Sequence, residues 1–347
     1  MRLHFFNKTI IALCILVLLL GWSKVRSQTT VGNIDALAFN IQDKNESIDF
    51  IKLDKNLGKA KPTVIFCQGS LPIPLVVKTA DNKFFLPAAN FDYRKLSSKY
   101  NIIVVSMPHI PVVAEESNLN SQFAFITDKA NPRSFPEAYM AADYLDNYTE
   151  RGNRVVDFLL KQKWVQRDSI YIVGHSQGAR VAAKIAAQNG HIAALGFFSG
   201  DPLGRATQSI RKIRLMQRTG QLSDAQAQSQ IDGIYKKWEQ FNKAETNSNT
   251  NSLISFSEPI VDELVNTKIP IYIAYGTEDL TAEFCDLLPI EFIRNKKFNY
   301  KLVAYPGLEH NFMEMDSNGK PDPGKFHWEE VFQGFINWLE APNTFKQ

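Results

Sequence analysis

Residues 171–187 read YIVGHSQGARVAAKIAA. An apolar, β-branched run stops at Gly174, Ser176 follows between His175 and Gln177, Gly178 closes a Gly-x-Ser-x-Gly pentapeptide, and a small-residue helix pattern begins at once. No other stretch constrains the fold as tightly. A chain that turns from strand to helix in so few residues brings the positions two before and two after the serine into near contact, and glycine is the residue without a Cβ to clash there. Ala179, Ala182, Ala183 and Ala186 keep the following helix slim enough to lie close on a sheet. The turn lifts the Ser176 hydroxyl above the strand end and aims the helix N-terminus at whatever sits beside it.

The rest of the chain alternates in the same way. Strand patterns occupy residues 36–41, 47–53, 63–68, 101–106, 169–173, 193–198, 269–275 and 300–305, and helix patterns occupy 91–100, 151–162, 177–189 and 328–340. Continuous apolar runs such as Val64-Ile65-Phe66 and Ile102-Ile103-Val104-Val105 suit parallel strands buried on both faces. The expected class is therefore α/β, a mostly parallel central sheet of about eight strands with helices on both faces. The first two strands have no helix between them and are expected as an antiparallel edge. Residues 205–265 break the alternation with a polar, Gln- and Lys-rich stretch. Ser223 and Gln226 form a helix-start box there, and Ile231, Ile234, Tyr235, Trp238 and Phe241 follow at helical spacing. This predicts a helical cap insertion folded over one end of the sheet and closing a pocket.

The N-terminus has a different character. Arg2, His4 and Lys8 precede the apolar run 9–22, and Lys24 and Arg26 follow it. That is the layout of a signal peptide over residues 1–27, with a small-residue site at Val25-Arg26-Ser27, or of an uncleaved N-terminal anchor. The run is short of the ~20 apolar residues that a membrane span needs. Cys14 is a poor lipoprotein site, because Leu13 stands where a small residue is wanted. The chain is thus expected to be exported, secreted or periplasmic, with membrane anchoring through the N-terminal segment as the alternative. Residues 1–27 hold four cations and no acid, so the formal charge of +3 becomes about −1 without them. That charge gives no reason to expect nucleic acid or an anionic membrane surface as partner. Cys67 and Cys285 leave two readings open, one disulfide after export or two free thiols.

With the elbow at Ser176 in its strand–helix context, nearly all of the chain beyond the leader resembles the α/β-hydrolase superfamily, and within it dienelactone-hydrolase and prolyl-oligopeptidase-like relatives. The resemblance implies a nucleophile, an acid and a histidine in that chain order. Ser176 is the implied nucleophile. The acid is expected about three residues after the glycine that ends a late strand, which picks Asp279 after Gly276, with Asp201 in Ser199-Gly200-Asp201-Pro202 as the alternative. His310 follows the strand and loop of residues 303–309 and resembles the family's histidine loop. The backbone N–H of Gln177 and that of Ser70 would form the oxyanion hole. Gln68-Gly69 departs from the His-Gly that the family commonly has there. Among the other histidines, His191 reads as a helix cap and His327 as a surface or packing residue, while His109 is placed to line the pocket. Leu71, His175 and Trp238 are the expected substrate-binding residues.

What the resemblance implies is a serine hydrolase that cleaves a carboxylic ester or thioester through an acyl-enzyme. A serine peptidase or amidase, and a non-catalytic binding protein on the same fold, stand as alternatives. The expected partner is a small-molecule ester or acyl substrate. No metal and no organic cofactor is implied, since His-Glu-x-x-His, a Cys/His cluster and Gly-x-Gly-x-x-Gly are all missing from the sequence.

Overall fold

The apolar runs form the middle of one sheet. In the computed structural model, which describes residues 25–43, 46–87, 91–243 and 251–342, the chain opens with β1 (Val25–Thr30), β2 (Ala36–Asp43) and β3 (Glu46–Leu53), then crosses to β4 (Lys61–Cys67). Two short strands, β5 (Val76–Lys78) and β6 (Phe84–Phe85), lead to helix α1 (Tyr93–Ser97), β7 (Asn101–Val105) and the short β8 (Val113–Glu115). Helices α2 (Glu137–Ala142) and α3 (Leu145–Leu159) precede β9 (Val165–His175), α4 (Gln177–Gln188) and β10 (Ile192–Phe198). Four consecutive helices follow, α5 (Arg205–Arg218), α6 (Asp224–Lys243), α7 (Ser252–Ser255) and α8 (Val261–Asn266). The chain then runs through β11 (Ile271–Gly276), α9 (Ala282–Arg294), β12 (Tyr300–Tyr305), a β13 (Met313–Met315) and β14 (Pro321–Phe326) hairpin, and α10 (Trp328–Glu340).

The main sheet has nine strands in the order β1-β2-β3-β7-β4-β9-β10-β11-β12. From β7 to β12 every neighbour is parallel, and β1, β2 and β3 are antiparallel to their neighbours. The strand beyond the eight expected is β1, whose sequence VRSQTT carries no apolar alternation to announce it. It holds its place by backbone pairing with β2. The expected signal-peptide boundary falls inside this strand, and residues 1–24 lie outside the described residues. Among the described residues, no helix is long and apolar enough to cross a membrane.

Each face of the sheet carries its own core. On one face Val155, Val156 and Leu159 of α3, Ala182 and Ile185 of α4 and Phe292 of α9 pack over Ile65, Ile103 and Ile172. On the other, Leu96 of α1 and Trp328, Phe332, Phe335 and Leu339 of α10 pack over Val64, Val104 and Val173. Burial on both faces is what the unbroken apolar runs encode. Helix α3 begins earlier than its apolar pattern, at Leu145, and α1 spans only Tyr93–Ser97 of the expected 91–100. Helix α9 has no counterpart among the expected helices, in keeping with the proline it holds at Pro289.

The insertion is helical, and its start box forms as the spacing implies. Ser223 N–H donates to Gln226 Oε1 at 2.9 Å, and Gln226 N–H donates to Ser223 Oγ at 3.3 Å. The apolar stripe of α6, however, does not bury against the sheet. Ala227 and Ile231 close on Ile213 of α5, with Ile210, Leu222 and Ile234 around them, so the two helices share a small core of their own.

Candidate active site

The strand–helix turn has the geometry its sequence demands. Ser176 sits at φ 58° and ψ −123°, a region that costs an L-residue about 1–3 kcal/mol and persists where the surroundings over-determine it. Here they do. A Cβ on Gly174 would lie 2.0 Å from the Gly178 carbonyl oxygen, and one on Gly178 would lie 2.1 Å from that of Cys67. Both obstacles are backbone, so neither can step aside. Ser176 N–H is held by the Phe198 carbonyl at 2.9 Å, which ties the turn to the neighbouring β10.

Asp279 and His310 hang from adjacent parallel strands, with Gly276 of β11 opposite Tyr305 of β12. Their loops are laced together: Glu278 N–H donates to the Leu308 carbonyl at 2.9 Å, and Gly307 N–H donates to Thr277 Oγ1 at 2.9 Å. Gly276 permits the approach, since a Cβ there would lie 2.0 Å from the Leu308 oxygen. Glu309 braces the histidine loop by accepting the N–H of Asn311 at 2.7 Å and of Met313 at 3.2 Å.

The result is a continuous chain. His310 Nδ1 lies 2.8 Å from Asp279 Oδ2, and His310 Nε2 lies 2.9 Å from Ser176 Oγ. An ionised carboxylate only accepts, so Nδ1 carries the proton and Nε2 faces the serine hydroxyl as acceptor. Asp279 is buried and also accepts the N–H of Thr281 at 3.0 Å. Burial pushes its carboxyl up, but the bonds from His310 and Thr281 outweigh burial and hold it below the usual value. For His310, burial pulls downward, and the bond to Asp279 with its charge wins and raises the imidazole above its ordinary value.

Asp201, the alternative acid, does not reach His310. Its Oδ1 accepts the N–H groups of Leu203 and Gly204 at 2.8 and 2.9 Å, which orders the entry to α5. His175 lies beneath the site with Nε2 2.8 Å from the His310 carbonyl oxygen and its ring edge-on to Trp328. Burial first, then the neighbouring His310, pushes it down to about 3, so it stands neutral. His327 is held between Glu314 and Glu330 at 3.2 Å each, and His191 is exposed at a helix end. His109 is exposed and lines neither cavity at Ser176.

The loop after β4 lies against the serine, with a Cβ on Gly69 placed 3.8 Å from that of Ser176. Tyr139 Oη donates to the Ser70 carbonyl at 2.9 Å, and Gln68 Nε2 donates to the Val105 carbonyl at 2.9 Å. Gln68 thus anchors the loop to β7 while its Oε1 stays buried without a partner. Among the described residues no protein acceptor takes the N–H of Ser70 or of Gln177. Both residues are in the wall of the smaller of the two cavities at Ser176, and Ser70 is also in that of the larger.

Two cavities meet at Ser176, and both include Ser70 and His310 in their walls. The larger, about 210 Å³, has the apolar side chains Phe66, Leu71, Ile73, Pro87 and Trp328 in its wall beside His175 and other polar residues. The smaller, about 70 Å³, is lined by polar and charged residues, Arg180, Ser199, Asp201, Arg205 and Gln208 among them, together with Phe256. Leu71 and His175 are therefore at the site. Trp238 is not: it lines neither cavity. Its stripe packs on α5, and Tyr235 beside it points to solvent. The residues that the insertion brings to the serine are Arg205 and Gln208 at the start of α5 and Phe256 after α7, none of them marked by periodicity. Cys67 and Cys285 are free, buried thiols. Among the described residues, no group of His, Cys, Asp and Glu is placed to hold a metal ion.

The sheet order, the elbow and the two laced loops define a class by fold, and that fold is the α/β-hydrolase fold. Within that class, residues 152–314, which include Ser176, Asp279 and His310, match the family described as BAAT / acyl-CoA thioester hydrolase C terminal. Solved structures agree on the fold. A candidate dienelactone hydrolase from Klebsiella pneumoniae subsp. pneumoniae is 13% identical with a TM-score of 0.51, over 90% of this chain and 99% of that one. An acetyl xylan esterase from Paenibacillus sp. R4 is 11% identical with a TM-score of 0.50, over 96% and 94%. An acylaminoacyl peptidase from Pyrococcus horikoshii is 14% identical with a TM-score of 0.51, over 94% of this chain but only 43% of that one. No curated protein matches the chain by sequence.

Proposed function

We propose that this protein is a serine hydrolase that cleaves a carboxylic ester or thioester through an acyl-enzyme. The observation that carries the reading is the unbroken chain from Asp279 through His310 to Ser176, beside two free N–H groups. His310 takes the hydroxyl proton as Ser176 Oγ attacks the carbonyl carbon, and Asp279 holds the tautomer and stabilises the imidazolium. The N–H groups of Ser70 and Gln177 receive the oxyanion, each worth about 3 kcal/mol to the transition state. His310 then gives its proton to the leaving group and activates the water that releases the acid. The match to a family named for acyl-CoA thioester hydrolases supports an acyl substrate of the ester or thioester class. Export rests on the basic–apolar–small pattern of residues 1–27.

The test is labelling with a fluorophosphonate, followed by mapping of the modified residue and a panel of ethyl esters, thioesters and aminoacyl amides. Ser176 is expected to carry the label, and Ser176→Ala is expected to lose label and turnover while melting as the parent does. Turnover of the amides alone would move the assignment to a peptidase. A folded protein that neither labels nor turns over any of them would be a binding protein.

A further inference from the structure

The smaller cavity beside Ser176 gathers two guanidinium groups, Arg180 and Arg205, in its wall. Arg180, Ser199 and Asp201 are all buried, yet Arg180 Nε, Ser199 Oγ and Asp201 Oδ2 have no hydrogen-bond partner. All three residues line the same ~70 Å³ space. Unpaired polar groups at such burial cost free energy, and three of them cluster in the wall of one cavity. Arg180 gives its two terminal nitrogens to the carbonyl oxygens of Asp201 and Glu258, so no carboxylate takes its charge directly. Arg205 is fixed at the mouth. Its guanidinium lies 4.5 Å over the Phe256 ring, donates to Ser252 Oγ at 2.6 Å and to Gln177 Oε1, and has Asp143 3.9 Å away. Gln177 and Arg205 are also the first residues of α4 and α5, so two helix N-termini add positive potential to the same space.

We propose that this cavity binds a carboxylate carried by the substrate itself, so that the natural substrate is an acidic ester or thioester. The inference rests on the hydrolase reading above. The larger cavity would take the other end of the molecule, with the scissile carbonyl between them at Ser176. Asp201 opposes this arrangement only while ionised. Its Oδ1 is held by two N–H groups, burial pushes its carboxyl up to about 6 against them, and a carboxylate alongside raises it further, so binding of the anion draws a proton onto Oδ2. Charge-assisted hydrogen bonds from a guanidinium to a carboxylate are about twice as strong as neutral ones, which suits a cavity that also has to fix the carbonyl.

Two isosteric pairs separate charge from shape. Monoethyl succinate and ethyl 4-methylpentanoate differ only in a carboxylate against an isopropyl group on the acyl side. 4-Acetoxybutanoate and 4-methylpentyl acetate make the same comparison on the leaving-group side. With acid release followed by titration, one pair is expected to favour the anion by about tenfold or more in kcat/KM. Arg205→Met is expected to erase that ratio, chiefly through KM. If the neutral esters turn over and neither pair favours the anion, or if Arg205→Met leaves the ratio intact, the inference fails while the hydrolase reading stands. If no ester turns over and no fluorophosphonate label appears on Ser176, the hydrolase reading itself fails.

Discussion

Asp279 and Asp201 are both buried carboxylates near the serine, and their hydrogen bonds assign them different work. Only Asp279 faces Nδ1 of His310. Asp279→Asn is expected to lower kcat by about 10⁴, because the amide stabilises the tautomer that leaves the wrong nitrogen toward Ser176. Asp201→Asn leaves that hydrogen-bonded chain in place. Comparing turnover of a neutral ester in the two variants checks this, and the reverse outcome would exchange their roles. A second expectation concerns pH. The base works when neutral, and the carboxylate beside it holds the imidazole above the ordinary value of 6.5. The acid limb of kcat/KM for ethyl 4-methylpentanoate should therefore fall above that value and move down in Asp279→Asn. The stability linkage runs in two windows. The raised histidine contributes fully below 6.5 and loses its contribution as pH rises through its folded value. The depressed acid contributes above 3.8 and loses its contribution as pH falls through its folded value.

At the scale of elements, two glycines and two helices can be tested. A Cβ at Gly178 meets two carbonyl oxygens, of Cys67 at 2.1 Å and Gln68 at 2.3 Å, so relief requires β4 and the elbow to separate. Gly178→Ala is expected to cost about 3 kcal/mol or more, toward the top of the range for overpacking, and to abolish labelling of Ser176. Gly190 supplies the control, because a methyl group there would meet nothing within 4 Å: Gly190→Ala should melt and label as the parent does. Trp238→Ala should leave kcat/KM for short esters within about twofold, since a surface helix residue away from the site perturbs little. A large loss would return Trp238 to the substrate path. The elbow and Gly276 were legible because backbone contact of this kind admits one residue type. The stripe of α6 buries only at its start, where Ile231 and Ile234 meet α5, while Tyr235 faces solvent; periodicity names neither the partner nor how far the burial runs. Arg205 and Gln208 left no mark, because polar residues on a polar helix start look alike whether they face solvent or a cavity.

Across the whole molecule, the sequence announced eight strands of the main sheet, the antiparallel β2 and β3 and the border strand β12 included, and missed β1 and the small ribbons. The strands β4, β7, β9, β10 and β11 are buried on both faces, and their composition says so. The first strand β1 and the β5, β6 and β8 ribbon depend on pairing partners that no local window contains. Centre and edge also divide the hydrogen-bonded chain of Ser176, His310 and Asp279. Ser176 follows β9, which has a strand on each side, whereas His310 follows β12, the last strand of the sheet, bonded only to β11. Border strands open at lower free-energy cost than those inside. On gentle warming, the amide protons of β12 should exchange with solvent before those of β9. The enzyme should then fall silent while its circular dichroism still reports a folded protein, since the base drifts from the nucleophile before the sheet melts. If residual turnover and ellipticity decline along one curve, the border strand is as firmly held as the centre.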